Sequence, residues 1–350
     1  MADLRKAHQI GNEFRKRHSL KTCMAKNITR ICCNGNAIYS HTISKSSSLS
    51  KIAKNGMVYV YDGRNYMEIH KNKGMSLPRL CGVGKASTFQ GFCSEHDSEL
   101  FAPIERKNFE STPEECFLHF YRAFTKEYYN KLVEFLDKDR VLNSIESEYV
   151  VEKREFCRRI YKSYYSGIQV ALKGMEQQKA KMEQYLEKQD FSDLRALILE
   201  FEQPLPFMVS GATRPEQDFK GNFLQSIRDE KFNSFDTLGL ISFSDENKWY
   251  FVLAWLSVGS DVNEKFIDSF LSIKNNHKFG RLVKMTFHLI DNIIMSPDWW
   301  DKLSIEKKDY FNNLMNSGLN PNIPKSKHPL KDDGYKLKSI PIGKITKVNF

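Results

Sequence analysis

Gly91-Phe92-Cys93-Ser94-Glu95-His96-Asp97 sets a cysteine and a histidine two residues apart. At that spacing one short turn presents both side chains to a tetrahedral ion such as Zn2+. Two more ligands are needed, and the cysteines upstream can supply them. Five of the seven cysteines (Cys23, Cys32, Cys33, Cys81 and Cys93) fall in the first hundred residues, a clustering that reads as metal binding before disulfides. Cys23 and Cys33 complete the expected set. Cys33 is preferred to Cys32 because the Asn34-Gly35 turn that follows can position it. The expected site is therefore Cys23, Cys33, Cys93 and His96, with Zn2+ as a structural ion. His41 is the alternative fourth ligand in place of Cys23. Cys116 and Cys157 lie in helical patterns and are expected to be small buried hydrophobes.

Outward from this segment, charge is unevenly distributed. The chain carries +10 overall. Residues 1–90 hold 16 Lys/Arg against 4 Asp/Glu, and residues 319–350 hold 7 against 2. The middle, 91–318, is left with 30 against 37. Basic ends of this kind suit phosphate-rich partners, because each neutralised phosphate releases counterions. DNA or RNA is the expected partner, contacted through Arg30, Lys45, Lys51 and Lys85. The first twenty residues carry five Lys/Arg and no apolar run, so no signal peptide is expected. The most apolar run, Trp249–Val258, is about half of what spans a bilayer. A cytoplasmic location and no membrane partner follow as expectations.

The pattern divides the chain into a basic arm (1–19), a metal-binding module (20–105), a helix-rich α+β domain (106–318) and a basic extended tail (319–350). The fold class expected is α+β. In the module, Ala37–Tyr39, Met57–Tyr61 and Tyr66–Ile69 read as strands, with Asp62-Gly63-Arg64 as a hairpin signal. Ser46–Ser50 reads as a helix entry. Thr112-Pro113 with Glu115 is a capping box that opens a helix. A long helix is expected from about 147 to 188, and a third over Phe191–Phe201. Phe207–Ser210, Leu240–Phe243 and Trp249–Leu256 read as strands, the last two joined by Ser244-Asp245-Glu246-Asn247. Helices are expected at Glu264–Ile273, Phe279–Ile293 and Ile305–Met315.

The order Cys…Cys, then His41 in a polar turn, then Cys93-x-x-His96 resembles the zinc-stapled version of the HNH, or ββα-metal, nuclease family. The resemblance covers about residues 20–105 and implies a treble-clef-like fold held by one zinc. It also implies a separate histidine that activates water for attack on a phosphodiester, assisted by Mg2+ or another divalent ion. Ser40-His41-Thr42-Ile43-Ser44 occupies the place of the family's catalytic segment, which makes His41 the candidate general base and Asp97 a candidate ligand for the divalent ion. Ser40 stands where the family has an acidic residue, and Asp97 where it often has histidine. The alternative is a non-catalytic interaction protein that uses zinc only as a staple, with a protein partner bound through 106–318.

Across the whole chain, Ser40-His41 with Ile43, Ala86–Phe89, Gly91-Phe92-Cys93 with His96-Asp97, Leu100-Phe101 with Pro103-Ile104-Glu105, and Ser296-Pro297-Asp298-Trp299-Trp300 resemble a group of bacterial proteins of genomic islands. That resemblance implies anti-phage or mobile-element defence.

Three other motifs are weighed. Gly82-Val83-Gly84-Lys85-Ala86-Ser87 falls short of a phosphate-binding loop, since Arg79 stands at the first glycine and Ala86 at the Mg2+-binding hydroxyl. Arg281 and His288 share a helix face at a spacing that resembles the HEPN ribonuclease family, but Leu282 follows where that family prefers a polar residue. Paired Trp299-Trp300 is expected to plug a helical core, and Glu146, Glu148 and Glu152 to form a solvated helix face.

Overall fold

The computed structural model describes residues 20–61, 69, 71–148, 151–226, 236–258, 260–317, 323, 326–335 and 337–350, and leaves out the side chains at 146–148, 151–153 and 156. The basic arm 1–19, the Asp62-Gly63-Arg64 turn, residues 66–68 and the side chains of Glu146, Glu148 and Glu152 lie outside the described parts.

The fold is α+β. The cysteine-rich segment contributes β1 (Ile38–His41), β4 (Thr88–Phe92), α2 (Ser94–Leu100) and α3 (Ala102–Glu105). Between β1 and β4 the chain forms a π-helical turn (Lys45–Leu49), α1 (Ser50–Ile52), β2 (Met57–Tyr61) and β3 (Pro78–Gly82). Ser44 opens the turn by accepting a hydrogen bond from the Ser47 amide, in keeping with the helix entry expected there.

Next comes α4 (Pro113–Leu136). It begins where the capping box required, with Glu115 N donating to Thr112 Oγ1 at 3.2 Å and Thr112 N donating to Glu115 Oε2 at 2.9 Å. Further on are α5 (Lys138–Glu148), α6 (Val151–Lys188), β5 (Leu194–Phe201), β6 (Phe207–Thr213), β7 (Leu238–Asp245), β8 (Lys248–Leu256), α7 (Val262–Leu271), α8 (Asn275–Leu289), β9 (Ile293–Met295), α9 (Pro297–Trp300), α10 (Ile305–Asn316) and β10 (Lys344–Val348).

Eight strands form one sheet in the order β10-β5-β8-β7-β6-β9-β2-β3, each antiparallel to its neighbours. Alternate residues of its central strands enter two different cores. Leu197, Leu199 and Phe201 of β5 join Phe251, Leu253 and Trp255 of β8 on the face packed against Phe266, Leu282 and Phe311 of α7, α8 and α10. Ala196, Ile198, Val252 and Ala254 point to the other face, against α4 and the end of α6. Burial on both faces removes the polar alternation by which a strand is usually recognised.

This is why Phe191–Phe201, expected as a helix, is instead a turn followed by β5. Its Leu, Ala and Arg residues favour a helix locally, but pairing with β8 over the whole of Leu194–Phe201 overrides that preference. The helix expected over Phe279–Ile293 runs from Asn275 to Leu289. Ile290 leaves it in an extended conformation, and Ile293–Met295 becomes the short strand that links β6 to β2.

The change of composition near residue 106 falls inside one packed unit. β2 and β3, from the basic segment, complete the sheet through β9. Phe89, Phe92, Leu100 and Phe101 share a core with Phe117, Phe120, Tyr121 and Phe124 of α4. Likewise, the end of the basic tail is not a free arm, since β10 pairs with β5 along Lys344–Val348. Among the described residues no helix is long and apolar enough to cross a membrane.

Candidate metal centre

A knuckle, a strand pair and a helix converge on one point. The knuckle is the loop from Cys23 to Cys33, closed at its base where Thr22 bridges Asn36, Cys23 N donates to Gly35 O at 3.1 Å and Ala37 N donates to Lys21 O at 3.1 Å. Asn34-Gly35 makes the turn that aims Cys33. The Asn34 side chain accepts from the Asn36 amide at 2.9 Å, and Gly35 takes φ +81°, a left-handed conformation suited to glycine. The strand pair is β1 with β4, and Met24 N donates to Gly91 O at 2.7 Å to lay the knuckle against it. Cys93 then caps α2, its sulfur accepting from the His96 amide, so the cap and the residue one turn later face the same way.

Cys23, Cys33, Cys93 and His96 therefore meet, with one donor atom of each lying within 4.8 Å of all the others. Cys93 Sγ is 3.9 Å from Cys33 Sγ, and His96 Nδ1 is 3.2 Å from Cys93 Sγ and 3.6 Å from Cys23 Sγ. Four donors around a zinc ion with Zn–S bonds of about 2.3 Å would sit about 3.8 Å apart, so the set could hold such an ion with little movement. Cys23, Cys93 and His96 are 0% exposed. His96 Nε2 lies 3.1 Å from Ile28 O; donating there leaves the Nδ1 lone pair directed at the sulfurs, the outer contact that orients a histidine ligand. Burial pushes the Cys23 thiol up to about 12 and also raises Cys93. Three sulfurs this close together, two of them fully buried, are stable as thiolates only around a cation. With four protein donors and no open position, the centre is suited to holding the fold together rather than to activating water. Cys32, the ligand not chosen, is exposed and outside the cluster, while Cys81 is half-buried on β3. Cys116 is buried in helix packing, as expected of a small hydrophobe, whereas Cys157 is only half-buried.

His41 is not a ligand of this centre. It ends β1 opposite Thr88, with Nε2 3.1 Å from the Val83 carbonyl. Asp97, on α2, is brought towards it: burial raises the Asp97 carboxyl, while Arg122, Ser40 and His41 act to lower it. The cation beside Asp97 is the Arg122 guanidinium, 3% exposed, with Nη2 2.7 Å from Glu105 Oε1 and 3.8 Å from Asp97 Oδ1. It lies over the Phe101 ring at 3.9 Å. Arg122 is the residue that sequence reasoning missed. Its one signal was a lone charge inside the apolar run Phe120-Tyr121-Arg122-Ala123-Phe124, where a buried charge demands a partner.

The basic residues expected to touch nucleic acid are all exposed but are dispersed in their contacts. The Arg30 backbone sits at Glu187, and Lys51 Nζ donates to Glu246 O. Lys45 opens the π-helical turn, and Lys85 lines a cavity with Arg79 and Lys126. In the glycine turn Gly82–Ser87 three backbone amides are already engaged, that of Val83 donating to Gly56 O and those of Lys85 and Ala86 to Gly82 O.

Arg281 and His288 diverge. Arg281 Nη2 donates to Phe219 O at 3.1 Å, whereas His288 Nδ1 meets Ser317 Oγ at 3.2 Å, and burial lowers His288 to about 4. Trp299 and Trp300 pack on Phe311 within the core.

No family model matches the chain, and neither a curated protein nor a solved structure is significantly similar to it.

Proposed function

We propose that this protein binds DNA or RNA through a module stapled by zinc, and that the module does not cut its target. The reading rests on the closed Cys23-Cys33-Cys93-His96 cluster within a segment of strong positive charge. A structural ion fixes the knuckle, and the exposed lysines and arginines around it supply counterion-release affinity.

The nuclease alternative draws support from the order β1, β4, α2, which is a strand pair followed by a helix, with His41 and Asp97 approaching each other across it. Two features favour the non-catalytic reading. Arg122 stands beside Asp97 and Glu105, a place otherwise suited to a divalent ion. His41 Nε2 is already directed at Val83 O. A role in bacterial anti-phage or mobile-element defence is part of the same proposal and is carried only by the resemblance stated above.

Binding to random-sequence duplex DNA and RNA across a salt series tests the reading. Affinity that falls steeply and log-linearly with salt, with no strand cleavage in Mg2+ or Mn2+, is the expected result. Salt-insensitive association with a protein would favour the interaction-protein reading. Cleavage lost in His41→Ala would overturn the non-catalytic one.

A further inference from the structure

Helix α6 carries two apolar seams side by side. Tyr161, Tyr165, Ile168 and Leu172 belong to a small core with Val141 and Ile145 of α5. One position ahead of them run Cys157, Ile160, Tyr164, Gly167, Ala171 and Gly174, spaced three and four apart in alternation. That spacing is the seam of a helix pair, and none of the six is charged although α6 is otherwise rich in Lys, Arg and Glu. The second seam faces outward. Ile160 is 51% exposed and Tyr164 45%, while Gly167 and Ala171 are exposed and Cys157 and Gly174 half-buried. The Tyr164 hydroxyl donates to Glu134 of α4, which fixes the place of its ring in the seam. Gly167 is the telling position. A glycine inside a helix lowers its stability relative to alanine, and a Cβ at Gly167 would meet no atom within 4 Å. Among the described residues nothing calls for a glycine there, whereas a second helix lying close against the seam would.

The order of sizes identifies that helix. The larger residues stand in the first half of the seam and the smaller ones in the second. Laid antiparallel on a copy of itself, the seam sets Tyr164 against Gly167, Ile160 against Ala171 and Cys157 against Gly174, each pair occurring twice. A parallel copy would set Tyr164 on Tyr164 and Gly167 on Gly167, crowding one level and leaving a gap at the next. We propose that two copies of this chain associate through α6, antiparallel about a two-fold axis between Tyr164 and Gly167, with each larger residue of one copy seated on a small residue of the other. Such a contact is closed and self-complementary. It sets the two knuckles, which Glu183 and Glu187 hold at the far end of α6 through Asn27 and Thr29, at opposite ends of the pair. The contact uses no residue of the cysteine-histidine cluster, so it stands or falls apart from the nucleic-acid reading.

The test is analytical ultracentrifugation of the full chain from micromolar to submillimolar concentration, where a dimer is expected. Gly167→Leu should raise its dissociation constant about tenfold or more, because the added side chain overpacks the contact in both copies. The fold itself should not suffer, since the position is open within the chain and leucine favours a helix; circular dichroism and thermal unfolding of the variant check this. Orientation is read by oxidative cross-linking. Ile160→Cys combined with Ala171→Cys in one chain should give a covalent dimer above the wild-type background, and neither single variant should. Within one helix the two positions lie about 16 Å apart along the axis, too far for a bridge inside the chain. A monomer throughout, a dimer that Gly167→Leu leaves at full strength, or a cross-link in Ile160→Cys alone, the mark of parallel pairing, would overturn the proposal.

Discussion

Two polar centres share the β1–β4–α2 scaffold, and they solve opposite problems. At Cys23, Cys33, Cys93 and His96, four donors surround a point with no side-chain cation among them. Around Asp97 and Glu105, two carboxylates already have theirs, the buried guanidinium of Arg122. The first arrangement needs an ion from outside to be stable in its charged form, while the second is compensated from within the chain. One helix, α2, feeds both: His96 turns to the sulfurs and Asp97, the next residue, turns to Arg122. A single step along a helix rotates a side chain by about 100°, enough to separate a ligand from a salt-bridge partner. Adjacent residues of ligand type therefore need not serve the same ion.

Breaking the first centre should have the largest effect. Cys93→Ser, or chelation of the wild type, should remove about one metal ion per chain and cost several kcal/mol, because ion binding and folding of the knuckle are one process. Metal analysis alongside thermal unfolding checks this. Full metal content in Cys93→Ser would show that the cluster is not the site.

The second centre is tested by Arg122→Met, which leaves Asp97 and Glu105 without their cation. A destabilisation of about 1.5–3 kcal/mol is expected, below that of a fully buried pair because Asp97 and Glu105 keep part of their contact with water. If the guanidinium stands in for a divalent ion, Mn2+ should restore part of that loss in the variant and leave the wild type unmoved. No rescue would mean that the two centres differ in more than the identity of their cation.

Smaller effects should follow from Glu127, whose buried carboxyl faces Asp291, Lys126 and Lys131. Its folded value of about 8 lies above the ordinary 4.5, so between these values the native state holds a proton that the unfolded chain has released. Stability contributed by this group is accordingly lost as pH rises from about 4.5 to 8. Glu127→Gln should abolish that slope and exceed the wild type at pH 8 by on the order of 2 kcal/mol. Denaturant midpoints at several pH values measure it. Parallel curves for the two proteins would exclude the effect.

Smallest of all should be His41→Ala. Losing one half-buried hydrogen bond to Val83 O costs about 0.5–1.5 kcal/mol. Metal content should not change, which a single zinc analysis checks.

Local chemistry made much of this legible. Cys93-x-x-His96, the Asn34-Gly35 turn behind Cys33 and the Thr112–Glu115 capping box are short-range devices, and each appears where its residues stand. The hairpin of β7 and β8 was announced by polar Ser244–Asn247 between two apolar runs, and Asp245 pairs with Lys248 across it. What escaped reading depended on distant partners. β5 is a strand because β8 and β10 flank it. The run that became the end of α8 and β9 divides because Ile294 and Met295 find β6 on one side and β2 on the other.

The sequence by itself determined the spacing that lets Cys93 and His96 share one turn and the segregation of positive charge to the ends of the chain, and it left Cys23 and His41 as alternatives beside Cys33. These are properties of residue type over a few positions, where backbone geometry leaves few alternatives. Only the tertiary structure decided that the cysteine-rich segment shares its core and its sheet with the rest of the chain. It alone set Arg122 beside Asp97 and gathered Arg79, Lys85 and Lys126 around one cavity. Those arrangements join residues tens to hundreds of positions apart, and burial of apolar surface, which is non-directional, selects them without leaving a local pattern in the chain.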